Sequence, residues 1–282
     1  MNNSNSKKPT TNWDQIKQWT SARVGLGRTG HSLTTQAVLD FQRAHAEARN
    51  SVLQSWDDSA LIKKLKNLNY EPIVVSTQAL DRETYLKFPN KGRRLSLESG
   101  AKLADLASSP SLANFASLAT GSEAPSIAFI VSDGLSCMAI ENHFINLWQE
   151  LMKNSTDNFE KTFPKFKIHL VIAPFGRVAL SDDIGQILKA QMSVIFIGER
   201  PGLNSADSLG IYLTYDPKLG NTDANRNCIS NVRPPAGLSY ALAAAKLNYL
   251  MQESLKRQIS GVELKEESLP LIQNKIDYPT RP

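Results

Sequence analysis

The chain has 282 residues, 41% of them hydrophobic and 21% charged, with 32 Lys+Arg against 27 Asp+Glu and a formal charge of +5. That balance excludes a wholly disordered chain or a coiled-coil rod, and the length suits one large domain or two modest ones. No run reaches the ~18 apolar residues of a membrane span, and the polar start MNNSNSKKPTTNWDQ is not a secretory signal. The basic clusters Lys63, Lys64, Lys66 and Lys91, Arg93, Arg94 read as solvated faces, so neither nucleic acid nor membrane is an expected partner. Two cysteines without C-x-x-C spacing, Cys137 and Cys228, fit a reducing cytosol and argue against structural zinc.

Residues 1–12, rich in Asn, Ser and Lys, predict a flexible tail. Residues 13–120 read as a smaller, mainly helical N-terminal region. Its clearest helix follows Ser32-Leu33-Thr34, with Val38, Phe41, His45, Ala48 and Val52 at helical spacing and Gln42, Arg43, Glu47 and Arg49 opposite. A short strand is expected at Pro72–Val75 and a second helix at Ser96–Ala107. Gly121-Ser122-Glu123-Ala124-Pro125 marks a linker into a domain spanning 121–262.

In that domain, strands are expected at Ile127–Val131, Ile168–Ala173, Met192–Ile197 and Ile211–Tyr215. A helix to about Met152 follows the first. A second, N-capped by Ser181 with Asp182 and Asp183 in its first turn, ends near Ala190. The last helix covers about Ser239–Ile259, closed by Gly261. Residues 263–282, with Pro270, Pro279 and Pro282, predict an extended tail. Short apolar strands alternating with helices predict an α/β fold: a doubly wound, mostly parallel sheet.

Open sheets of this kind bind ligands at strand carboxyl ends. Three ends carry unusual turns: Ser132-Asp133-Gly134, Phe175-Gly176-Arg177-Val178 and Gly198-Glu199-Arg200-Pro201-Gly202. Gly198 and Gly202 permit a tight turn or close ligand approach, and Glu199 at a sheet edge can accept hydrogen bonds; a Glu–Arg surface turn is the plainer alternative. Asn221–Asn231 reads as a long polar loop holding Cys228, either a buried small hydrophobe or a ligand contact. Gly25-Leu26-Gly27-Arg28-Thr29-Gly30 matches the dinucleotide fingerprint in letters, but polar residues precede it and helix follows only later. His31, His45, His143 and His169 are scattered. No catalytic constellation and no metal-binding motif stands out.

Several stretches together resemble one family closely, the small subunit of adenosylcobalamin-dependent ethanolamine ammonia-lyase. They are Arg23–Gly30, Val131–Ser136, Gly176-Arg177-Val178, Asp183-Ile184-Gly185, Ile197–Leu203, Asn227-Cys228-Ile229-Ser230-Asn231 and the Ala-rich segment Ala241–Lys246. They occur in family order from about Arg23 to Gly261; the stretch 55–89 is matched by no family motif.

The resemblance implies a Rossmann-like domain that covers adenosylcobalamin at the interface with a large TIM-barrel subunit, in a six-plus-six assembly. That large subunit binds ethanolamine and hosts its conversion to acetaldehyde and ammonia. The resemblance puts cobalamin contacts on Val178, Glu199 and Cys228, with no catalytic and no metal-ligating residue in this chain. It also implies a cytoplasmic enzyme or one held in a bacterial microcompartment, although the N-terminal extension linked to targeting is short here. The alternatives are a nucleotide-dependent oxidoreductase using Gly25–Gly30 and a non-enzymatic scaffold.

Overall fold

A computed structural model describes residues 13–17, 20, 22–108, 125–153 and 166–268. The expected tail at 1–12, linker residues 121–124 and residues 269–282 lie outside them. The described chain is mixed α/β, built on one six-stranded sheet in the order β1-β3-β2-β4-β5-β6. The strands are β1 (Ile73–Val74), β2 (Ser126–Ser132), β3 (Lys167–Ile172), β4 (Met192–Gly198), β5 (Leu209–Tyr215) and β6 (Arg226–Val232). The first four strands in that order run parallel, while β5 and β6 are each antiparallel to their neighbours.

The two central strands show why the sheet needs helices on both sides. All seven residues of β2 and of β4 are buried. Strand side chains alternate between faces, so Ile127, Phe129 and Val131 join one apolar cluster while Ala128 and Ile130 join the other. On β4, Met192, Val194 and Phe196 go to the first cluster and Ile195 and Ile197 to the second.

The first face is covered by α6 (Cys137–Ala139), a π turn (Ile140–Phe144), α7 (Ile145–Lys153) and α9 (Tyr240–Arg257). The second takes α5 (Leu97–Ser108) and α8 (Leu180–Ile187). Before them come α1 (Trp13–Lys17), α2 (Thr35–Leu53), α3 (Ser59–Asn67) and α4 (Arg82–Lys87). Thr34 caps α2 and Ser239 caps α9, each accepting a backbone N–H three residues on.

Three expectations need correction. Helix α8 starts at Leu180, so Ser181 lies inside it and its hydroxyl donates to the Val178 carbonyl. Asp182 and Asp183 do lie in its first turn, as expected, and each also has a tertiary partner: Arg226 donates to the first and the Leu95 N–H to the second. The stretch 221–231 is no simple loop, because from Arg226 onward it is edge strand β6. Gln258, in the left-handed region at φ 58°, closes α9 in place of Gly261. Gly261 opens a 3-10 turn packed on Ala224, and Leu264 and Ser268 beyond it are buried.

Candidate functional site

The three unusual strand ends have different fates. After β2, Asp133 is fully buried and accepts from Arg82 Nη1 at 2.9 Å and from the Phe175 N–H at 2.6 Å. Arg82 also donates to the carbonyls of Gly134 and Val52. Burial pushes the Asp133 carboxyl up to about 6, against the pull of the Arg82 charge. A side-chain carbon on Gly134 would lie 2.3 Å from the Gly198 carbonyl, and one on Gly198 would lie 2.0 Å from that of Ser136. The ends of β2 and β4 therefore close on each other, backbone to backbone. Gly198 serves internal packing, and the Ser132-Asp133-Gly134 turn is held by internal contacts.

After β3, the backbone enters the left-handed region at Phe175, φ 59°. Gly176 then donates to Ser132 Oγ, and Arg177 donates through its backbone to Gly92. The Arg177 guanidinium stacks 4.1 Å from the centre of the Tyr85 ring. With its neighbours held so firmly, Val178 presents a half-buried apolar side chain at the start of α8, packed on the second cluster.

After β4 the carboxylate of Glu199 reaches across two strands. Its Oε2 accepts from Ser208 Oγ at 2.5 Å and from the Asn231 N–H at 3.2 Å, and its Oε1 accepts from Ser230 Oγ at 2.5 Å. Two sequence details make this reach possible. Gly210 of β5 lies beneath the side chain, where a Cβ would come 2.9 Å from Oε1. Opposite Gly210, β6 carries a bulge: Leu209 pairs with Val232 and Ile211 with Ile229, so Ser230 and Asn231 face one residue. Asn231 adopts φ 60° there, and its N–H, without a ladder partner, turns to Glu199.

Three donors leave Glu199 about one more lone-pair direction of the four a carboxylate offers. The group is a fixed, partly exposed acceptor for an amide or hydroxyl proton.

Cys228 lies on β6 two residues before Ser230, on the same face, with its side exposed and opposite Tyr212 of β5. Desolvation of the sulfur, with the Glu199 charge adding and the neighbouring Tyr212 opposing, raises the thiol above its usual range. Tyr212 is half-buried against the second cluster, as is Val178. Val178, Glu199 and Cys228 thus border one sheet face, with Tyr212 among them. Tyr212 and Ser208 were missed in the sequence. Ser208 carries no motif, whereas the i, i+2 pair Cys228 and Ser230 within one strand was a usable signal.

Gly25, Gly27 and Gly30 all have positive φ, as a tight turn needs, but residues 22–28 form no strand and α2 starts only at Thr35. A Cβ on Gly25 would strike the Trp13 side chain. The turn lacks the strand–loop–helix frame of a dinucleotide site, which removes the oxidoreductase reading. Among the described residues, no group of three or more His, Cys, Asp or Glu is placed to hold a metal ion, and no helix is long and apolar enough to cross a membrane.

Fold and site together define a mixed α/β protein with a partly exposed carboxylate acceptor, Glu199, held by three donors where β4 ends. The family model for the ethanolamine ammonia-lyase light chain matches residues 10–265. Relatives named ethanolamine ammonia-lyase small subunit are 45% identical in Pseudomonas syringae pv. tomato, over 92% of this chain and 85% of the relative. One in Pseudomonas fluorescens (strain Pf0-1) is 44% identical over 92% and 89%, and one in Azotobacter vinelandii 44% over 91% and 88%. The chain belongs to the ethanolamine ammonia-lyase light-chain family and is one subunit of a heteromeric lyase.

Proposed function

We propose that this chain encloses adenosylcobalamin against a large TIM-barrel subunit that binds ethanolamine, in an enzyme that yields acetaldehyde and ammonia. The observation that carries the reading is the fixed Glu199 acceptor bordering the same open sheet face as Val178 and Cys228. A corrin ring is broad, apolar on its faces and rimmed with amide groups, and the residues present fit it. Glu199 offers its remaining lone pair to an amide or hydroxyl proton, Val178 gives apolar contact, and Cys228 and Tyr212 offer a polarisable edge. When bound, the cofactor supplies homolysis of a cobalt–carbon bond; this chain binds, orients and keeps water out.

The doubly wound arrangement of β2, β3 and β4 supports a Rossmann-like domain over 121–262. Exposed Val38, Leu39 and Phe41 on α2 offer apolar surface for the large subunit. Ser51, near the C-terminal end of α2, donates to the Ala206 carbonyl in the β4–β5 connection and ties that end of the helix to the segment after Glu199. Six copies of each subunit, in the cytoplasm or a microcompartment, complete the reading.

Co-expression with the large subunit and a cobalamin-dependent acetaldehyde assay tests it. Activity is expected only from the pair; full activity of the large chain alone would refute the assigned role.

A further inference from the structure

We infer that His143 is a positioning residue for the Glu199 acceptor, acting from the opposite face of the sheet. The inference rests on the reading of Glu199 as a cofactor contact and extends it to a residue with no contact to the site.

His143 sits in the π turn between α6 and α7, a widened turn that tends to mark functional positions. It is buried, yet both ring nitrogens are engaged: Nε2 lies 3.2 Å from Asp207 Oδ2 and Nδ1 lies 2.9 Å from the Tyr240 hydroxyl. A carboxylate only accepts, so Nε2 donates to Asp207, while Nδ1 shares a hydrogen bond with the Tyr240 hydroxyl.

These partners belong to the two segments that feed Glu199. Asp207 directly precedes Ser208, whose hydroxyl donates to Oε2 and whose carbonyl accepts the Glu199 N–H at 2.9 Å. Tyr240 opens α9 just after the turn in which Leu238 N–H donates to the Asn231 carbonyl, and Asn231 N–H is another of the Glu199 donors. Asn142 Nδ2 also donates to Asp207 Oδ2, and Arg233 Nε lies 3.9 Å from Oδ1. His143 therefore joins both donor segments through one imidazole. Removing it leaves Asp207 and Tyr240 each short of a partner and frees the Ser208 and Asn231 segments to drift apart.

The test is cyanocobalamin affinity of the assembled two-subunit enzyme, read by absorbance titration, for His143→Ala, His143→Gln, Glu199→Gln and the His143→Ala/Glu199→Gln double variant. Loss of the imidazole is expected to weaken binding about tenfold, the scale of one lost hydrogen bond to a charged group. The Gln variant retains a donor to Asp207 and stays within about twofold of the parent. Because His143 acts through Glu199, the double variant binds within about twofold of Glu199→Gln alone. Unchanged affinity in His143→Ala, equal losses in the Ala and Gln variants, or additive losses in the double variant would overturn the inference. Unchanged affinity in Glu199→Gln would instead overturn the cofactor reading of Glu199, and this inference with it.

Discussion

The Glu199 carboxylate lies over Gly210, one strand away, at the only residue type that leaves room for it: an added Cβ would sit 2.9 Å from Oε1 and 3.0 Å from Cγ. Gly210 is not among the residues with positive φ, so alanine suits its backbone. Gly210→Ala should therefore still fold, with a loss of about 1 kcal/mol from the hydrogen bond that its methyl displaces. The same methyl should push the carboxylate off Ser230 and weaken cobalamin binding roughly tenfold, or about 1.4 kcal/mol. Thermal unfolding and cyanocobalamin titration of one preparation separate the two effects.

The Arg82–Asp133 pair locks the end of β2, with both side chains buried. Arg82→Met removes the charge that offsets burial of Asp133 and should cost about 3–5 kcal/mol at pH 8. With a folded pKa of about 6, above the unfolded value, Asp133 binds a proton in the native state that the unfolded chain releases. Its contribution therefore falls as pH rises from about 4 to about 6 and is level above that. Without Arg82 the folded pKa rises further, so the deficit of the variant should shrink markedly from pH 8 towards pH 5. Urea unfolding at both values checks this, and a deficit independent of pH would contradict it.

His169 in β3 pulls the other way. Burial, with Lys167 adding, lowers its pKa to about 4, so it stays neutral in the fold while the unfolded chain takes up a proton below pH 6.5. Stability from this group is full above pH 6.5 and is lost as pH falls towards 4, a change on the order of 3 kcal/mol. His169→Leu should flatten that acid limb. A limb equally steep in the variant would place the titration elsewhere.

The strands β2, β3 and β4 were legible because burial on both faces demands unbroken apolar runs, such as Ile127–Val131 and Met192–Ile197. Strand β6 was not. As an edge strand it needs one apolar face only, and its bulge sets the inward residues Ile229 and Val232 three apart instead of two. The same bulge aims Ser230 and the Asn231 N–H at Glu199, so the feature that hid the strand also builds the site. Glu199 could be singled out from Gly198-Glu199-Arg200-Pro201-Gly202, but its donors come from strands distant in sequence. Asp133 misled for a related reason: a carboxylate at a strand end looks alike whether it awaits a ligand or already holds an arginine. Asp182 and Asp183 fitted a first-turn pattern equally well, while their partners Arg226 and Leu95 are visible only in three dimensions.

Cys228 gives the most direct measurement, because it borders the proposed cofactor face while Cys137 is buried inside the core. In the assembled enzyme, iodoacetamide should modify Cys228 slowly at neutral pH, its thiol being held protonated, and should spare Cys137. Added cyanocobalamin should slow that modification in proportion to cofactor occupancy, as followed by peptide mass analysis. A Cys228 labelling rate that stays the same at full occupancy would contradict the placement of the cofactor against this face.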